Sequence, residues 1–122
     1  MLCQWTGKAI STDQANFDGT MLDPNAPAGK DRGTTTPAGS LPPNPWGFCD
    51  MHGNVWEWCS DVYGALPGRE VTDPAGPRTG TLMVLRGGSY RSKAADCRSA
   101  SRYKENLLKT DKHYGFRVAM DP

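Results

Sequence analysis

The run GSLPPNPWG at residues 39–47 holds three prolines and two glycines, and it closes a longer stretch, residues 18–47, that carries Asp-Pro-Asn, Ala-Gly and a threonine run. Proline removes a backbone donor and fixes φ, whereas glycine opens the left-handed region, so such a stretch propagates neither helix nor strand. An ordered loop with at most a turn or a short helix is predicted there. The whole chain carries 14 glycines and 10 prolines. Irregular backbone must therefore make up much of the fold, and its polar groups must be held by side-chain hydrogen bonds or by ions.

Regular structure is confined to what remains. Val55–Cys59 alternates with period two, Leu82–Arg86 is an apolar run that ends at Gly87-Gly88, and Gly115–Met120 alternates again. These three segments read as strands of a small antiparallel sheet. In the first, Trp56 and Trp58 share one face, while Val55, Glu57 and Cys59 share the other. Ala94–Tyr103 suits a short helical turn, and the polar, patternless Lys104–His113 reads as a surface loop.

With 122 residues and 37% hydrophobic content, residues 1–122 form one domain with one modest core. Fourteen basic against 13 acidic side chains leave a net charge of +1, so no global field recruits nucleic acid or an anionic membrane. No apolar run approaches the roughly 20 residues of a membrane span, and the first residues lack the apolar centre of a signal peptide. A soluble chain without a targeting signal is expected, its compartment undecided. The spacing of Cys3, Cys49, Cys59 and Cys97 matches neither a CxxC pair nor a disulfide scaffold, which favours reduced, mostly buried thiols over a single disulfide.

The densest chemistry lies in DMHGNVWEWCSD, residues 50–61. Asp50, Gly53, Asn54 and Glu57 place two acids around a Gly-Asn turn, which suits a hard cation such as calcium, although the spacing is not that of an EF-hand. The alternative is that Asp50 caps a turn and Glu57 meets an arginine. Cys49, His52 and Cys59 are conceivable zinc ligands only if a strand and a turn bring them together, and a hydrogen-bonded histidine is the simpler reading. Arg86, Arg98, Arg102 and Arg117 read as clamps that tie loops to carboxylates and carbonyls. No nucleophile triad, Walker loop or GxGxxG motif occurs.

Taken in order, NPWGFCDMHGNVWEWCSD, VLRGGSY, CRSASR and GFRVA resemble the C-terminal half of the formylglycine-generating enzyme (sulfatase-modifying factor) family. The likeness extends upstream through ISTDQANFDG and TTTPAGSLPPN, while the family's N-terminal half, with its long helices, has no counterpart here; a minimal version or a fragment is expected. The resemblance implies an α+β fold, a variant of the C-type lectin fold with a small twisted antiparallel sheet and much irregular structure. It also implies calcium held by the side chains of Asp50 and Glu57 and the carbonyls of Gly53 and Val55. A second family calcium site would use Asn16, the Phe17 carbonyl and Asp31.

Enzymes of the family carry GGSY-x-C-x4-C, whose two cysteines bind copper and activate oxygen. Here the segment reads GGSYRSKAADC, so that Cys97 matches the second cysteine while Ser92 stands at the first. A serine hydroxyl cannot supply the second thiolate for soft Cu(I), which argues against copper and against catalysis. The resemblance extends to the variable proteins of diversity-generating retroelements, whose diversified surface lies between the GGS motif and the terminal GFR. The expectation is a non-catalytic, calcium-stabilised module that binds an unknown protein or small ligand through Tyr90, Arg91, Ser92, Lys93, Asp96, Tyr103, Lys104, Asn106 and His113. Of these, Tyr90, Arg91, Lys93, Asp96, Tyr103, Lys104, Asn106 and His113 should face solvent, with Arg86, Cys97, Arg98, Arg102 and Arg117 turned inward. The alternative is a truncated or divergent cysteine oxidase in which Cys97 takes part.

Overall fold

The computed structural model describes residues 9–20, 29–72, 74 and 76–120. Cys3 lies outside them, as do residues 21–28 of the breaker-rich stretch; the parts of that stretch that are described contain only turns, bends and irregular backbone. Four strands form one sheet: β1 (Trp56–Val62), β2 (Leu82–Arg86), β3 (Tyr103–Asn106) and β4 (Tyr114–Gly115), in the order β3-β2-β1-β4.

β2 is apolar from Leu82 to Leu85 because it runs through the centre, and Val84 and Leu85 are both fully buried although they point to opposite faces. β1 lies antiparallel to it, with Glu57 opposite Arg86 and Trp58 opposite Leu85, and the register shifts between Trp58 and Val62. β3 pairs antiparallel on the other side, with Leu85 opposite Tyr103 and Val84 opposite Lys104. Trp56, Trp58, Leu85, Tyr103 and Tyr114 consequently share one face.

Three expectations are corrected. The sheet is mixed rather than wholly antiparallel, because β4 runs parallel to β1 through Trp56–Tyr114 and Glu57–Gly115. The strand expected over Gly115–Met120 is confined to Tyr114–Gly115. Beyond it the chain leaves the ladder, and Phe116, Val118 and Met120 lie exposed. Within Lys104–His113, read as loop, Lys104–Asn106 belongs to β3; a polar edge strand gives no apolar alternation to find. The helical turn is present as the short 3-10 turn Ala94–Cys97.

A second cluster packs away from the sheet: Ile10, Ala15, Phe17 and Cys97 are buried together, with Ala94 against them. The Gly-Asn turn joins it to the sheet. The Asn54 N–H donates to the Asn16 carbonyl (2.6 Å), the Gly53 N–H to the Gly87 carbonyl (2.7 Å) and the Tyr90 N–H to the Asn54 carbonyl (2.9 Å). Three distant stretches therefore meet at one turn, which answers how so irregular a backbone satisfies its polar groups.

Candidate functional site

Two regions gather the candidate residues. At the turn, Asp50, Gly53, Val55 and Glu57 line one open cavity of about 290 Å³, together with Gly39 and Arg117. Asp50 adopts φ +54° and its Oδ2 accepts a hydrogen bond from the Gly39 N–H (2.7 Å). Both Glu57 carboxylate oxygens are taken by Arg117, whose Nη2 lies 2.7 Å from Oε1 and whose Nε lies 3.0 Å from Oε2. The same Nη2 reaches the Cys49 carbonyl (3.0 Å). This hydrogen bonding holds the Arg117 guanidinium pKa above its usual value, against the opposing effect of burial.

The four residues assigned to calcium thus line one cavity. Glu57 meets an arginine as well, as the metal-free alternative requires. A cation would share Glu57 with Arg117. Asn16, assigned to the second calcium site, is 1% exposed and its Oδ1 has no hydrogen-bond partner among the described residues, while Asp31 accepts from the Gly33 N–H (3.3 Å). Asn54, grouped with the acids from its spacing, is instead a pin. Its Oδ1 accepts from the Thr36 N–H (2.9 Å) and from Asn16 Nδ2 (3.2 Å), and its Nδ2 donates to the Thr36 carbonyl (3.2 Å).

His52 is buried, with Nδ1 2.6 Å from the Cys97 carbonyl oxygen. No group of three or more His, Cys, Asp or Glu side chains that could hold a metal occurs among the described residues, which removes the zinc reading. Among the described residues Cys49 and Cys59 carry no disulfide, and they are half-buried rather than buried; burial pushes the Cys59 thiol pKa up.

The second region is the face between the GGSY and GFR motifs. Tyr90, expected to face solvent, is buried (4% exposed), and so is Ser92 of the expected binding set (8% exposed). Tyr90 stacks on His113 at 5.0 Å between centroids, with the Arg91 guanidinium 5.7 Å from its ring centre. Ser92 Oγ accepts from the Ser89 N–H (2.9 Å), which closes the chain on itself after the paired glycines. Arg91, Lys93, Asp96, Tyr103, Lys104 and Asn106 are exposed as expected, and His113, partly exposed, is bonded through Nδ1 to Asp111.

The arginines do act as clamps. Arg86 Nη1 donates to the carbonyls of Ser99 and Ser101 (both 3.1 Å), Arg98 Nε to that of Ala95 (2.9 Å), and Arg102 Nη1 to that of Gly64 (3.0 Å). Arg98 and Arg117 nevertheless remain exposed rather than turned inward, since the carbonyls and the carboxylate that they hold are at the surface.

Trp56 and Tyr103 stack at 5.3 Å and both line two open pockets. Trp56, Tyr114, Arg98 and Arg102 were absent from the expected binding set, although all four line these pockets. The alternation of Trp56 and Trp58 was the available signal, since an aromatic face with one open side is a binding surface as readily as a core.

Residues 4–122 match the family described as sulfatase-modifying factor enzyme 1-like domain. The chain is 39% identical to the serine/threonine-protein kinase pkn1 of Chlamydia caviae, covering 93% of this chain and 17% of that protein. It is 41% identical to the formylglycine-generating enzyme of Streptomyces coelicolor, covering 72% of this chain and 30% of that one. Among solved structures, Treponema denticola variable protein 1 superposes with a TM-score of 0.76 and 26% identity, over 95% of this chain and 40% of that chain. PvdO from Pseudomonas aeruginosa superposes with a TM-score of 0.68 and 28% identity, over 91% of this chain and 41% of that one. The chain therefore spans well under half the length of each of these relatives.

Proposed function

Because this chain belongs to the sulfatase-modifying factor enzyme 1-like family, we propose that it is a non-catalytic binding module of that family, with calcium at the Gly-Asn turn. The observation that carries the reading is Ser92. It stands where the family oxidases place their first copper-binding cysteine, and its buried Oγ is spent on the Ser89 N–H. A hard hydroxyl in that role leaves Cys97 as the one thiol of the pair, which is too few for a two-thiolate Cu(I) centre. The likeness to a variable protein supports the face between the GGSY and GFR motifs as the contact surface.

Asp50, Gly53, Val55 and Glu57 would hold the calcium, which supplies charge neutralisation at the turn beside Arg117. Saturation at about 100 times the dissociation constant adds roughly 2.7 kcal/mol of stability. The test pairs two measurements. Incubation with a cysteine peptide of the sulfatase type, copper and oxygen should leave the cysteine unchanged, whereas turnover that is abolished by Cys97→Ser would restore the oxidase alternative. A melting temperature that does not respond to a chelator would remove calcium from the reading and leave the Glu57 carboxylate to Arg117.

A further inference from the structure

The two open pockets share both rings of the Trp56–Tyr103 stack, so they adjoin along this aromatic ridge as one groove. Tyr103 is 44% exposed, which leaves the ridge open to a partner. The charged groups along the groove are unbalanced. Arg91 lines one pocket, and Arg98 and Arg102 line the other, against Asp96 alone. The whole chain carries a net charge of only +1, so this basic excess is local.

The guanidinium groups are also posed. Arg98 spends its Nε on the Ala95 carbonyl and Arg102 one Nη on the Gly64 carbonyl, while Arg102 lies 4.7 Å from the centre of the Tyr63 ring. Each is fixed by one bond that leaves further N–H donors without a hydrogen bond among the described residues. Donors pre-set in this way suit carboxylates, which accept two parallel N–H bonds. Two open pockets that adjoin at the ridge favour an extended ligand over an enclosed small molecule.

Resting on the reading of this face as a binding surface, we infer that the groove takes an extended acidic peptide segment, with a flat side chain on the Trp56–Tyr103 ridge and a carboxylate at Arg98 and Arg102. The probes are three capped hexapeptides, alternating glutamate with tyrosine, lysine with tyrosine and glutamate with glycine, together with adenosine monophosphate. Binding is read from the side-chain NMR signals of Trp56 and Arg98 in the intact chain.

The glutamate–tyrosine peptide should shift both signals and weaken with salt. Its affinity should fall about tenfold in Arg98→Ala, where one charge-assisted hydrogen bond is removed, and further in Arg98→Glu, where attraction becomes repulsion. The glutamate–glycine peptide should bind several-fold more weakly, and the lysine–tyrosine peptide should not bind. Arg98 is exposed, so both variants should keep the parental melting temperature, checked alongside. An unchanged affinity in Arg98→Glu overturns the inference. Preference for the lysine–tyrosine peptide or the nucleotide in the same groove also overturns it, while leaving the face a binding surface; silence of both signals towards every probe removes the acidic peptide and counts against the binding surface itself.

Discussion

Gly53 decides where the turn can sit. Its φ is +79°, and a Cβ added there would overlap the backbone oxygen of Asn16, the atom that the Asn54 N–H bonds. Any side chain must therefore push apart the two stretches that the turn ties together. Gly53→Ala should cost about 3 kcal/mol or more, measured by urea unfolding, because backbone strain and the broken Asn54–Asn16 hydrogen bond add. Ser92→Ala removes the acceptor of the buried Ser89 N–H and should cost about 1–2 kcal/mol by the same measurement. The Gly-Asn turn was legible because both residue types favour left-handed backbone; its partner Asn16 was not, because it lies 37 positions before Gly53 and no local pattern records so long a contact.

β1 was legible from WEWC because one of its faces is aromatic, and β2 because a central strand is apolar on both faces. β3, with the sequence YKEN, was not: an edge strand is held by backbone pairing to Leu82–Leu85, which polar side chains neither report nor prevent. Alternation likewise carries no direction, so the parallel pairing of β4 could not be read, and it overstated β4 because Phe116 and Val118 keep the alternation after the ladder has ended. The sheet curls enough for the Tyr114 hydroxyl on one edge to donate to Glu105 Oε2 on the other (3.3 Å). Burial, with Tyr103 and Glu105 nearby, pushes the Tyr114 phenol up to about 12. Below the ordinary phenol value of about 10 both folded and unfolded chains hold this proton; above it the unfolded chain releases it first. Stability from this group is thus complete below about pH 10 and is lost as the pH rises towards about 12. Urea unfolding across that window should show a falling stability, with a shallower fall in Tyr114→Phe.

At the scale of the molecule, the small core divides between the centre of the sheet and the cluster around Phe17, and long loops join the two. The C-terminal segment is fastened differently. After β4 it is held to the turn by the side chain of Arg117, which reaches Glu57 and the Cys49 carbonyl, while Phe116, Val118 and Met120 are 78%, 83% and 94% exposed. Apolar residue type therefore misreports burial in this part of the chain, and two phenylalanines make the contrast measurable. Phe17 is fully buried against Ile10, Ala15 and Cys97, so Phe17→Ala loses its transfer free energy and leaves a cavity among groups that are themselves pinned through Asn16 and the Gly-Asn turn. A cost of about 3–5 kcal/mol is expected, a large share of the stability of a domain this size. Phe116→Ala removes a ring that already faces water and should stay within about 0.5 kcal/mol. Equal losses by urea unfolding would mean that Phe116 is covered in solution, so that the sheet edge beside β4 is a packed surface rather than an open one.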